Sequence, residues 1–115
     1  MTNQVQGEIL YAGVNTNPVY TPWMPARGDD ATCGVEVLQR KTTSLKWSVE
    51  TRSLESSSVT TIVAETSVAS LGVATNPTTI GAKELIRYRF KTTGTASTTE
   101  FVVFRALQPS WQIDR

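Results

Sequence analysis

Histidine is absent from this 115-residue chain, and cysteine occurs once, at Cys33. Without histidine there is no commonest general base, no commonest zinc ligand and no near-neutral pH switch. A single cysteine permits no intrachain disulfide and no cysteine-based metal site within one chain. Charge is scarce and balanced: 18% of residues are charged and the net charge is +1. Such a chain has no bulk field to draw it to nucleic acid or to an anionic membrane. No apolar run approaches the length that spans a bilayer, so no membrane partner is expected. The start, Met1 to Glu8, lacks the basic and apolar regions of a secretory signal. The one Asn-X-Ser/Thr triplet, Asn76-Pro77-Thr78, is disqualified by its proline.

Serine and threonine fill the space that charge leaves, at roughly a quarter of all positions. β-Branched Thr and Val suit pleated strands and disfavour helix, and no window shows sustained helical periodicity. Strand signals run from Val5 to Val14, Gly34 to Gln39, Leu45 to Arg52 and Val59 to Val68. Leu45, Trp47, Val49 and Thr51 alternate with Lys46, Ser48, Glu50 and Arg52, the pattern of a half-buried strand. In the fourth run, Ile62 and Ala64 share one face and Thr61 and Val63 the other. Pro18, Pro22 and Pro25 exclude a helix or a central strand around Val19 to Asp30. Residues 15–32 therefore read as an extended, proline-rich arm or loop, anchored by Trp23 and Met24.

The end of the chain carries the strongest signals, Glu84 to Lys91 and Glu100 to Leu107. Thr92 to Thr99 between them holds no core-forming residue, and the whole reads as a β-hairpin. Pro109-Ser110-Trp111 then closes the chain as an extended segment. Six to eight strands separated by turns predict a single all-β domain over 1–115, an antiparallel sandwich of jelly-roll type with extended terminal segments. Gly13 to Pro18 and Gly72 to Pro77 agree at five of six positions, 59 residues apart. That echo reads either as a duplicated half or as recurring Asn-Pro turn chemistry.

Catalysis finds little footing. Cys33 has no histidine to activate it, and no Gly-X-Ser-X-Gly elbow is present. The carboxylates are scattered over outward strand positions and loops, so no enzyme is expected. Asp29-Asp30 lacks the alternating acidic loop that calcium sites use, and Arg27-Gly28-Asp29 reads as a turn rather than an adhesion signal. No metal or other cofactor is expected.

Three features point outward. Arg87, Arg89 and Lys91 share one strand face, about 7 Å apart. They form a solvated row balanced by Glu50, Glu36 or Glu65, a subunit interface, or a phosphate-binding surface; the net charge disfavours the last. Trp23, Trp111 and Tyr20 could form a carbohydrate platform, although core anchoring is the commoner fate of such rings. The strand from Phe101 to Leu107 is apolar on both faces, with Phe101, Val103 and Leu107 on one side and Val102, Phe104 and Ala106 on the other. It asks for a cover, either the proline-rich arm or another subunit.

These features lead to an expected structural, self-assembling role. A Ser/Thr-rich β domain without disulfides or a secretion signal fits a bacteriophage virion component (capsid decoration, coat or tail subunit) made in the host cytoplasm. Its expected partners are copies of itself and other virion proteins. The candidate interface residues are Arg87, Arg89, Lys91, Trp23, Met24 and Trp111. A carbohydrate-binding sandwich and an RNA-binding coat protein are the alternative classes.

Overall fold

Alternating apolar residues decide which strands share a core. In the computed structural model, Val35, Val37, Val102, Phe104 and Ala106 of one sheet face Leu45, Trp47, Val49, Ile86, Tyr88 and Phe90 of the other, and all are buried. The structure describes residues 4–11, 18–28, 30–41, 43–76, 83–92, 97 and 99–112. Its strands are β1 (Gln4–Tyr11), β2 (Val19–Tyr20), β3 (Met24–Pro25), β4 (Asp30–Lys41), β5 (Leu45–Arg52), β6 (Thr60–Val68), β7 (Gly72–Asn76), β8 (Leu85–Lys91) and β9 (Phe101–Gln112). Sheet A has the order β1-β9-β4-β7. Sheet B has the order β2-β8-β5-β6, with β3 also on β8. Every pairing is antiparallel.

The expected terminal hairpin does not form. β8 and β9 belong to different sheets and meet face to face across the core, with the Phe90 and Phe104 rings 4.5 Å apart. Each strand has an apolar face, and stacking buries both faces against each other, whereas side-by-side pairing would aim them in one direction. The intervening segment also exceeds the two to five residues usual in hairpins. It carries the chain from one sheet to the other.

β9 is longer than its apolar run suggests and continues through Pro109 to Gln112. Thr32 pairs with Ser110 and Gly34 with Leu107, so Gln108 and Pro109 together oppose Cys33. This bulge lets the strand hold a residue that cannot donate to a ladder. The segment after Leu107 is thus strand rather than a free extension.

The proline-rich arm does not cover β9. It forms an interrupted edge of sheet B, with Val19 and Tyr20 opposite Phe90 and Arg89, and Met24 and Pro25 opposite Ile86 and Leu85. Thr21 bridges the gap. Its amide donates to the Tyr88 carbonyl at 3.1 Å, and its hydroxyl accepts the Tyr88 amide at 3.0 Å. Buried Thr21 thereby pairs both backbone groups of Tyr88 at the position before Pro22.

The fourth strand run departs from simple alternation. Trp47 pairs with Thr66, Val49 with Val63 and Glu50 with Thr61, so β6 carries two extra residues against β5. Val63 and Val68 are its buried positions. The Gly13–Pro18 half of the sequence echo lies outside the described residues except for Pro18. Tyr11, two residues before the first copy and opposite Phe101, and Asn76 of the second copy, opposite Cys33, sit toward opposite ends of sheet A.

Candidate functional site

Two outward sheet faces carry most of the side chains that the sequence singles out; Met24 and Trp111 pack against the core instead. On sheet B, β8 presents Arg87, Arg89 and Lys91 outward, half-buried, while Ile86, Tyr88 and Phe90 point into the core. The row finds two of its carboxylates within the chain. Arg87 Nε donates to Glu50 Oε1 at 2.9 Å, and Arg89 donates to Glu65 Oε2 at 3.1 Å. The third anticipated carboxylate, Glu36, lies on sheet A and binds Arg105. Lys91 sits directly opposite Lys46, a like-charge pair.

Arg87 is also the centre of an aromatic stack. Its guanidinium lies 3.9 Å from the Tyr20 ring centroid and 4.4 Å from that of Trp23, and Arg52 lies 5.1 Å from Trp23. These cation–π contacts fasten the proline-rich edge to β8 and β5. They also engage the ring surfaces that a carbohydrate platform would need. Trp111 lies on β9 in the other sheet, packed against the core together with Met24. Trp23 and Tyr20 therefore come together, and Trp111 does not join them.

The outer face of sheet A is different in kind. The register sets Tyr11 beside Phe101, Ile9 beside Val103, and Gly7, Arg105, Glu36 and Val73 in one row across all four strands. Leu107, Gly34 and Thr75 form the next row. Ile9 and Val73 are 47% and 59% exposed, and Leu38, displaced by a bulge in β4, is 49% exposed. Phe101, Val103 and Leu107 are half-buried. Polar groups interrupt this surface along β4: Gln39 lies opposite Val103, Lys41 opposite Phe101, and Arg105 donates to Glu36 Oε1 at 2.6 Å. Beyond Leu107 the face dips into a shallow cleft of about 180 Å³ lined by Thr32, Gly34, Thr75, Gln108 and Ser110. Sequence reasoning identified the apolar strand here but missed Glu36 and Arg105 as partners; only the pairing of β4 with β9 brings them together.

Cys33 is fully buried on the inner face. Burial pushes its thiol up to about 11, which keeps it protonated and unreactive at neutral pH. The Tyr88 hydroxyl is held well above its ordinary value, first by burial and then by Cys33. Its proton goes to the Leu107 carbonyl at 2.8 Å. Among the described residues, no three Cys, Asp or Glu side chains gather as a metal site, and no helix is long and apolar enough to cross a membrane. Asp29 and the side chain of Asp30 lie outside the described residues, and so do the calcium and adhesion readings of that loop. No family model matches the chain, and neither the curated proteins nor the solved structures give a match.

Proposed function

We propose that this protein is a structural subunit that assembles with copies of itself, as a bacteriophage virion component of the decoration, coat or tail kind. The observation that carries the reading is the apolar outer face of sheet A. Ile9, Leu38, Val73, Phe101, Val103 and Leu107 spread across it, and among the described residues no segment lies over them. Exposed apolar side chains gathered on one sheet face mark an interaction site more often than scattered ones do.

The architecture supports the reading by analogy. Counting β2 and β3 as one interrupted strand, β1 pairs with β9, β2/β3 with β8, β4 with β7, and β5 with β6. These nested pairs are what a long hairpin ribbon gives when it wraps on itself. We read the sandwich as a jelly roll, an architecture used by viral capsid proteins and also by lectins and cupins. Fold alone does not fix function, so the weight rests on the exposed face. We put the interface on sheet A rather than on the cationic row, because that row carries an excess of positive charge, with Lys91 opposite Lys46.

Light scattering coupled to size-exclusion chromatography, with negative-stain microscopy of the same fractions, tests the proposal. Oligomers or regular particles are expected. A stable monomer at high concentration overturns it. Terminase and portal genes beside its own gene are the expected setting for the virion assignment.

A further inference from the structure

We propose that the outer face of sheet A packs against the same face of a second copy of this chain across a twofold axis, with Glu36 and Arg105 meeting their counterparts at its centre. This rests on the assembly reading above and names the partner, the surface and the polar contact.

The other surfaces of the sandwich are poorly suited to self-association. Association by adding strands edge to edge needs a long, regular, unguarded edge. The β2/β3 edge is two dipeptides separated by Pro22, and Pro25 has no amide proton to give. β6 carries two bulges, β7 has five residues, and β1 shifts register between Gln4 and Gln6. The outer face of sheet B carries Lys46, Arg52, Arg87, Arg89 and Lys91 against Glu50 and Glu65. Two such faces would repel each other.

The outer face of sheet A meets the requirements of a self-complementary contact. Its centre holds one acid and one base, so its charge there sums to zero; Lys41 lies at one end. Four strands at about 4.8 Å spacing give a width of about 19 Å, and the twelve residues of β9 give a length of about 40 Å. Because β1 has eight residues and β7 five, the face covers roughly 600 Å² of that rectangle, the lower end of what each partner contributes to a standard interface. A twofold contact places the same patch on both sides. Glu36 and Arg105 are direct neighbours on the two central strands, so an axis through the middle of the face brings each pair against its copy. Glu36 of either subunit then reaches Arg105 of the other.

Charge exchange tests this geometry. Glu36→Arg puts two cations at the centre of the face and Arg105→Glu puts two carboxylates there. Each variant alone is expected to fall to monomer mass by light scattering, with an unchanged far-UV spectrum. An equimolar mixture is expected to recover the dimer, because each cationic face then meets an acidic one. Val73→Lys, on the same face and remote from the core, is expected to lower the mass without touching the ion pair. The inference is overturned if either charge variant or Val73→Lys keeps the mass of the unmutated protein, or if the mixture stays monomeric. An unmutated protein that assembles while all these variants still assemble removes this interface and leaves the assembly reading standing. An unmutated protein that is monomeric removes both.

Discussion

The Tyr88 hydroxyl of sheet B donates to the Leu107 carbonyl of sheet A at 2.8 Å, a polar tie through an otherwise apolar core. The ring itself packs edge-on to Trp47 and Phe90, with centroids 5.8 and 6.1 Å away. Tyr88→Phe keeps those ring contacts and removes only the donor. The Leu107 carbonyl is then left in the interior without this partner, which costs about 1–2 kcal/mol. Urea denaturation should show a lower midpoint with an unchanged slope.

Arg87 and Arg89 have the same residue type, face and strand, yet their surroundings differ. Arg87 meets Glu50, whose side chain is only 12% exposed, and touches the Tyr20 and Trp23 rings. Arg89 meets Glu65, whose side chain is 40% exposed, and solvent screens that pair. Arg87→Ala should therefore cost about 1–2 kcal/mol through lost stacking and a half-buried carboxylate left alone. Arg89→Ala should cost no more than about 0.5 kcal/mol. Parallel thermal melts of the two variants check the contrast, and equal losses would contradict it.

Much of this arrangement is visible in the amino-acid order, and the missing part has a definite physical cause. Alternation in Leu45 to Thr51 and in Ile86 to Phe90 identifies the inward residues correctly, because period two is a property of a single strand. Which strand lies beside which is a property of the whole chain. The Glu84–Lys91 and Glu100–Leu107 runs are adjacent in sequence and opposite in space, and no local pattern distinguishes a short turn from a crossing between sheets. Ser48 shows the same limit at the scale of one residue. Its position on β5 reads as outward, yet it is buried. Arg89 lies directly opposite it on one side, and on the other the β6 bulge sets Glu65 beside it. The ion pair between those neighbouring strands closes over a short side chain.

Alkaline pH should weaken the fold. Burial raises the Cys33 thiol from its ordinary value near 9 to about 11, and it raises Tyr88 as well. Both groups are neutral when protonated, so above the unfolded value the unfolded chain loses protons that the folded chain keeps. The stability they contribute is fully present below pH 9 and is lost as the pH rises toward 11 for Cys33, with Tyr88 extending the loss upward. Cys33→Ala removes the thiol's share. Its thermal midpoint should fall less steeply between pH 9 and 11 than that of the unmutated protein.

Two glycines separate the effect of space from the effect of backbone. A Cβ at Gly34 would lie 3.3 Å from Leu107 Cδ1 and 3.4 Å from both the Ala74 carbonyl oxygen and Thr75 Cγ2. The tightest contact is the end of a half-buried leucine side chain, which can yield by a few tenths of an ångström. Gly34→Ala also removes freedom from the unfolded chain, worth about 0.4–1 kcal/mol, so it should be neutral or slightly stabilising. A Cβ at Gly72 meets nothing within 4 Å, but its φ is +108°. A side chain resists that backbone region, and Gly72→Ala should cost about 1–2 kcal/mol despite the open space around it. Chemical denaturation of the two variants should therefore place the crowded substitution above the uncrowded one. The reverse order would mean that the sheet A face at Gly34 cannot yield, and that its cleft is a rigid part of the surface.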